Sequence, residues 1–132
     1  MTLPAVPPAV AAVLADYAAG LAPDRGAEKA AVKAALGALV EAAPGRSVEV
    51  RVPPHAAVQA IAGTNHRRGT PSAVVETNAR AWLELAVGRL SWPDAVLTGA
   101  VRASGQRSDL GAWLPLFSGA DETEIVAKHP IE

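Results

Sequence analysis

The spacing of apolar residues predicts two helices in the first third of the chain. Residues 28–43 carry one apolar stripe at helical spacing, formed by Val32, Leu36, Leu39 and Val40. Pro44-Gly45 ends this helix. A shorter helix is predicted over residues 9–19, because Pro8 suits a first turn and Gly20 follows. Residues 1–44 therefore form a helical amino-terminal part.

Alternating patterns then predict three consecutive strands. Residues 47–52 alternate polar and apolar side chains, as a half-buried strand does. Residues 56–62 and 72–76 are the second and third strands, and a polar loop over residues 63–71 separates them.

The second half of the chain returns to helical spacing. A helix is predicted over residues 79–90, capped by Thr77 or Asn78. Ser91 caps a short helix that ends at Gly99, and residues 100–104 form a fourth strand. Ser108 is expected to cap a last helix, which Pro115 shortens or bends; its apolar side comprises Leu110, Trp113, Leu114 and Phe117. Residues 118–132 form a polar tail.

This order indicates an α+β fold, because the strands are clustered and do not alternate with helices. The 132 residues are most simply one domain, residues 1–132. Half of them are apolar, but 30 are alanine and only five are aromatic. Alanine buries little area per residue, so the larger side chains suffice for one core without a surplus.

Composition excludes several functions. The chain has no cysteine, which excludes disulfides, thiolate zinc sites, iron–sulfur clusters and a cysteine nucleophile. The formal charge of −1 provides no overall field for nucleic acid or an anionic membrane. No apolar run reaches the roughly 18 residues of a membrane span, so stable membrane insertion is not expected.

The amino terminus predicts a cytoplasmic protein. Residues 5–15 are apolar, but a signal peptide needs a positive region before such a run, and the first cation here is Arg25. The nine arginines against three lysines and the abundant alanine suit a high-GC bacterial genome.

The polar residues form no recognised catalytic or metal-binding pattern. His55, His66 and His129 show no metal-ligand spacing. No nucleophile elbow, phosphate loop or acid/base pair is present either. We therefore predict no catalytic residue, no metal and no cofactor. The basic cluster His66-Arg67-Arg68 is either a site for a phosphate or carboxylate group or a solvated loop whose arginine pairs with a carboxylate such as Glu76.

The aromatic residues leave two alternatives open. Trp82, Trp92, Trp113 and Phe117 all follow the third strand. Aromatics at helical spacing usually belong to a core. The alternative is that some of them line a pocket between helices and sheet.

Several segments together resemble the sterol carrier protein family, especially its small stand-alone versions in actinobacteria. The resemblance covers residues 45–117, and its pieces are GRSVEVRVPP (45–54), RGTP (68–71), VVET (74–77), WLELAVGRLSW (82–92) and ASGQRSDL (103–110). Gln106 departs from the Asp or Asn that is frequent there, which affects a turn.

The resemblance implies a sheet of about five largely antiparallel strands, covered by helices on one face. It also implies binding or transfer of an apolar molecule, such as a fatty acyl chain or a sterol, between sheet and helices. The alternative is a protein-interaction or accessory module that keeps the fold without a ligand, as in thiol-dependent isomerases. An enzyme is not expected. The candidate ligand-binding residues are Val58, Ala60, Val75, Trp82, Leu83, Leu97, Val101, Trp113, Leu114 and Phe117.

Overall fold

A computed structural model describes residues 2–63, 73–105 and 108–118. The elements follow in the order α1 (Pro8–Ala18), α2 (Arg25–Ala42), β1 (Val48–Val52), β2 (Ala56–Ala60), β3 (Ala73–Thr77), α3 (Ala79–Val87), α4 (Trp92–Thr98) and β4 (Val101–Gly105), and a 3-10 turn follows at Gly111–Trp113. The basic cluster at residues 66–68, Gln106, His129 and nearly all of the polar tail lie outside the described residues.

The helices begin and end where the sequence provides caps. Asn78 Oδ1 accepts a hydrogen bond from the Ala81 N–H at 2.8 Å, which starts α3. Ser91 Oγ accepts one from the Asp94 N–H at 3.2 Å, which starts α4. The two helices end at Gly88 and Gly99, whose φ angles of +85° and +82° suit glycine. The predicted boundaries in this region are confirmed within three residues.

The described strands form a four-stranded sheet in the order β2-β1-β3-β4. β1 pairs with β2 and β3 pairs with β4 in antiparallel fashion, but β1 and β3 are parallel. The expected fifth strand is therefore absent from the described part of the chain, and the sheet is mixed. The mixed pairing arises because β2 occupies one edge of β1, so that β3 pairs with the other edge and runs parallel to β1.

The sheet has one buried face and one polar face. Alternate residues such as Val50 and Val75 point into a core under the helices. On the other face, Glu76 lies within 4.0 Å of Arg51 and within 3.5 Å of Arg102, so that a row of charges crosses three strands. Within the described residues, the helices therefore cover one face, as expected. The ion-pair partners of Glu76 on the polar face are Arg51 of β1 and Arg102 of β4.

The amino-terminal helices complete the core. The predicted stripe of α2 is confirmed, because Val32, Leu36 and Leu39 are buried and Val40 is half-buried. α1 adds three buried side chains, Val10, Val13 and Leu14.

The prediction of a last helix, capped by Ser108, is wrong. In its place the chain makes a single 3-10 turn, Gly111–Trp113, and then becomes extended at Leu114. A residue before proline is pushed out of the helical region, and Pro115 itself lacks the N–H that a helix needs. Asp109 Oδ1 accepts a hydrogen bond from the Gly111 N–H at 2.6 Å at the start of this turn.

Candidate functional site

The ten candidate ligand-binding residues fall into three groups. Six are buried in the core that the helices and sheet share: Ala60, Val75, Trp82, Leu83, Val101 and Phe117. Val58 and Leu114 are half-buried and pack against that core. Leu97 and Trp113 are 83% and 39% exposed, respectively. The structure therefore brings most of the candidates together around one interior and places two of them at the surface.

An apolar cleft lies where α3, α4 and the chain after Ser108 meet; we call it the α3–α4 cleft. Its volume is about 420 Å³, which is within the range of small-molecule sites. It is lined by Leu85, Gly88, Leu90, Ser91, Trp92, Pro93, Asp109, Gly111, Ala112, Leu114 and Pro115. Of the ten candidate residues, Leu114 lines this cleft.

Two glycines shape the α3–α4 cleft. Gly88 ends α3 and turns the chain towards α4. A Cβ at Gly111 would lie 2.9 Å from Asp109 Oδ1, the oxygen that accepts a hydrogen bond from the Gly111 N–H, and at contact distance from the Trp92 side chain, 3.4 Å from its Cδ1. The 3-10 turn therefore lies close to Trp92 in this wall of the cleft.

Residues 110–118 form one side of the cleft, and we call them the cover segment. The backbone N–H groups of Leu116 and Phe117 both donate to the Ala86 carbonyl, at 2.8 and 3.2 Å. The Ser118 N–H donates to the Pro4 carbonyl at 2.7 Å. The cover segment is therefore held to α3 by few backbone bonds and mainly by its buried side chains.

A second cleft of about 520 Å³ lies between α2, the β1–β2 turn and the start of α3, and its lining includes the charged residues Glu28, Arg80 and Glu84. Glu28 lies at this cleft and accepts hydrogen bonds from two residues that are distant from it in the chain. The Tyr17 hydroxyl donates to Glu28 Oε2 at 2.5 Å, and His55 Nε2 lies 2.8 Å from Glu28 Oε1. The Arg80 guanidinium stacks over the Tyr17 ring, 5.4 Å from its centroid.

We call Tyr17, Glu28, His55 and Arg80 a cluster, and its electrostatics favour the ionised form of Glu28. Burial raises the pKa of Glu28, but the hydrogen bonds from Tyr17 and His55, together with nearby positive charge such as that of Arg25, lower it by more, so that the net pKa lies below its usual value. Burial and the neighbouring carboxylate raise the pKa of Tyr17 well above its usual range. Tyr17 therefore stays a neutral donor to an ionised acceptor, and the cluster joins α1, α2 and the β1–β2 turn.

Sequence reasoning missed this cluster, because Tyr17, Glu28 and His55 are far apart in the chain and no local spacing joins them. Among the described residues, no three His, Cys, Asp or Glu side chains gather closely enough to hold a metal ion.

Replacing Glu28 with glutamine should make stability less dependent on pH. A carboxylate with a lowered pKa contributes stability above its ordinary pKa of 4.5 and loses that contribution as the pH falls through the folded-state pKa. We expect the wild type to be more stable than Glu28→Gln by about 1–2 kcal/mol at neutral pH. This difference should shrink below pH ~4.5 in urea unfolding followed by circular dichroism.

The matched control is Glu41→Gln, because Glu41 is an exposed residue of the same helix. It should change the free energy of unfolding by less than about 0.5 kcal/mol at neutral pH. If the difference in unfolding free energy between the wild type and Glu28→Gln stayed constant from pH 7 to pH 3, this result would contradict a lowered pKa of Glu28.

Within the described part of the chain, no helix combines the length and apolar character that crossing a membrane requires.

Comparisons with known proteins place the chain in a family. A family model described as bacterial SCP ortholog matches residues 24–116. One similar solved structure is the crystal structure of Sterol Carrier Protein 2 Like 2 from Aedes aegypti, at 19% identity and a TM-score of 0.34, over 67% of this chain and 90% of that one. A search of curated proteins found no match. The likeness to actinobacterial members stays a prediction. The family match covers most of the chain, from before α2 to the cover segment, and the chain belongs to the bacterial sterol carrier protein (SCP) orthologs.

Proposed function

We propose that the protein binds or transfers a lipid or another apolar small molecule without catalysing a reaction, and that the α3–α4 cleft is where the molecule enters. The observation that carries this proposal is the cleft itself: most of its lining residues are apolar, and one side of it is a non-helical segment. Membership of a sterol carrier protein-like family supports it, because such proteins generally carry lipids and are not enzymes.

The interior must rearrange to accept a large guest. A typical ligand pocket is at least about 300 Å³, and an equally large dry void would cost about 7 kcal/mol at ~24 cal/mol per Å³. That cost rivals the whole stability of a small domain, about 5–15 kcal/mol. In the structure, Leu110, Leu116 and Phe117 of the cover segment fill the interior. A bound apolar chain would take the place of these side chains.

This mechanism assigns roles to the candidate residues. Leu114 would meet the molecule first, in the cleft. Five of the buried candidates, Ala60, Val75, Trp82, Leu83 and Val101, would line the space that a deeper guest occupies, and the Phe117 side chain would move out of that space. For Val58, Leu97 and Trp113, a lining role stays a prediction, and so does the cytoplasmic location of the protein.

Displacement of a fluorescent fatty acid tests this function. The wild type should bind the probe with a micromolar dissociation constant, and unlabelled acyl chains should displace it. Leu114→Asp should weaken binding by about tenfold or more, because it places a charge in the apolar wall.

The matched control is Val96→Asp. Val96 is an exposed residue of α4 that does not line the cleft. The Val96→Asp variant should bind the probe with a dissociation constant within about twofold of the wild-type value, a change in binding free energy of less than about 0.5 kcal/mol. Absence of probe binding to a folded wild type would overturn the function, whereas equal weakening by both substitutions would overturn the location.

A further inference from the structure

Trp82 carries a polar group that the fold leaves unpaired. The residue is fully buried, and within the described part of the chain its indole Nε1 is the one buried side-chain nitrogen or oxygen without a hydrogen-bond partner. Two other buried polar side chains have hydrogen-bond partners. The buried Ser47 hydroxyl donates to the Ile61 carbonyl at 2.7 Å, and the buried Thr77 hydroxyl donates to the Ala100 carbonyl at 2.8 Å.

An unpaired buried N–H is costly. Leaving such a donor without an acceptor costs free energy, because the hydrogen bond that it made to water in the unfolded chain is not replaced. Phenylalanine would fill an apolar core without this cost. A binding partner that supplies an acceptor at Trp82 would recover the lost free energy, so the unpaired indole favours a ligand that carries one.

The position of Trp82 connects it to the α3–α4 cleft. Leu85 lies three residues later on α3, and side chains at this spacing are neighbours on one side of a helix. Leu85 lines the cleft, whereas Trp82 lies about one turn closer to the start of α3, in the core. A molecule that passes Leu85 into the interior would therefore bring its leading end towards the indole.

We propose that Trp82 Nε1 donates a hydrogen bond to a neutral acceptor on the bound molecule, such as the carbonyl of an ester, amide or ketone. The inference rests on the proposed function and specifies its ligand class. The acceptor is neutral because Trp82 belongs to an apolar core cluster. Burial of a carboxylate there would cost several kcal/mol, which one indole N–H does not offset.

Competition against the fluorescent probe with three compounds of similar length tests this inference. Methyl decanoate, dodecane and decanoate differ in the acceptor that they offer. The ratio of the affinity for methyl decanoate to the affinity for dodecane should be about tenfold higher in the wild type than in Trp82→Phe. Comparing the two ratios cancels the different transfer free energies of the two compounds from water and leaves the one recovered hydrogen bond, about 1–1.5 kcal/mol. The wild type should also prefer the ester to the carboxylate.

Two further measurements separate the hydrogen bond from packing. Val32→Ala removes methyl groups from the same core but keeps the indole, so it should retain the ester preference. In 15N-labelled wild type, the indole N–H signal of Trp82 should move downfield on addition of methyl decanoate. This measurement decides the matter without a variant if Trp82→Phe fails to fold.

The outcomes distinguish the two proposals. An ester-to-dodecane affinity ratio that is the same in the wild type and Trp82→Phe, or an unmoved Trp82 signal when the ester is bound, overturns the inference and leaves the proposed function standing. Failure of all three compounds to displace the probe overturns the proposed function.

Discussion

Replacing Gly45 with alanine is expected to lower the free energy of unfolding by about 4 kcal/mol, near the upper end of single substitutions. A Cβ at this position would lie 2.1 Å from the Ile61 carbonyl carbon and 2.3 Å from the Ala62 nitrogen. Both atoms belong to backbone, which cannot move aside as a flexible side chain can. Gly45 also has a φ of +154°, which L side chains rarely adopt.

Hydrogen bonds fix the backbone that Gly45 approaches. The Ile61 N–H donates to the Ala43 carbonyl at 2.6 Å, and the Ile61 carbonyl accepts from the Ser47 N–H at 3.0 Å. These bonds join the end of α2 and the start of β1 to the end of β2. A shift that made room for a methyl group would break this junction.

The control is the same substitution at Gly37. This residue is exposed within α2, and an added Cβ would meet nothing within 4 Å. Gly37→Ala should therefore stabilise the protein by about 0.5–1 kcal/mol, because alanine favours helix more than glycine does. Urea unfolding of both variants checks the pair, and effects of the same sign and size would contradict the described geometry.

Replacing Phe117 with alanine should cost about 3–5 kcal/mol of stability. Phe117 is buried under α3 at the end of the cover segment, and its backbone N–H donates to the Ala86 carbonyl. Truncation removes an aromatic side chain from the core and leaves a cavity that the two backbone bonds at Ala86 hold open. The loss is measured by urea unfolding.

Trp113→Ala provides the comparison within the same segment. Trp113 is larger than Phe117 but 39% exposed, so we expect its truncation to cost less than about 2 kcal/mol. If Trp113→Ala were the more destabilising substitution, the cover segment would have to be turned the other way, with Trp113 inside.

The elements that the sequence predicted well are those that local patterns determine. The stripe of α2 and the alternation of β1 each reflect one face packed against a single core. Asn78 and Ser91 were readable as caps because a cap acts on residues two or three positions away. Gly99 ended α4 for a similarly local reason, whereas α3 ends at Val87, three residues before its predicted end.

The elements that the sequence did not predict depend on distant partners. Apolar spacing from Leu110 to Phe117 fits a helix, but Pro115 disfavours helical backbone at Leu114, and the bonds of the Leu116 and Phe117 N–H groups to the distant Ala86 carbonyl hold the segment against α3. The parallel pairing of β1 with β3 depends on which edge of β1 is free after β2 has paired. Leu85 and Trp92 line a cleft only because the cover segment returns to α3 and α4.

Intermolecular NOEs from a 13C-labelled acyl chain, added as its methyl ester, test the central claim most directly. We predict cross-peaks between the methylene protons of the chain and the methyl groups of Leu90 and Leu114 in the α3–α4 cleft. Absence of intermolecular cross-peaks at saturating ester, or cross-peaks only to the exposed Leu21 and Leu97, would contradict the claim that this protein takes up an apolar molecule through that cleft.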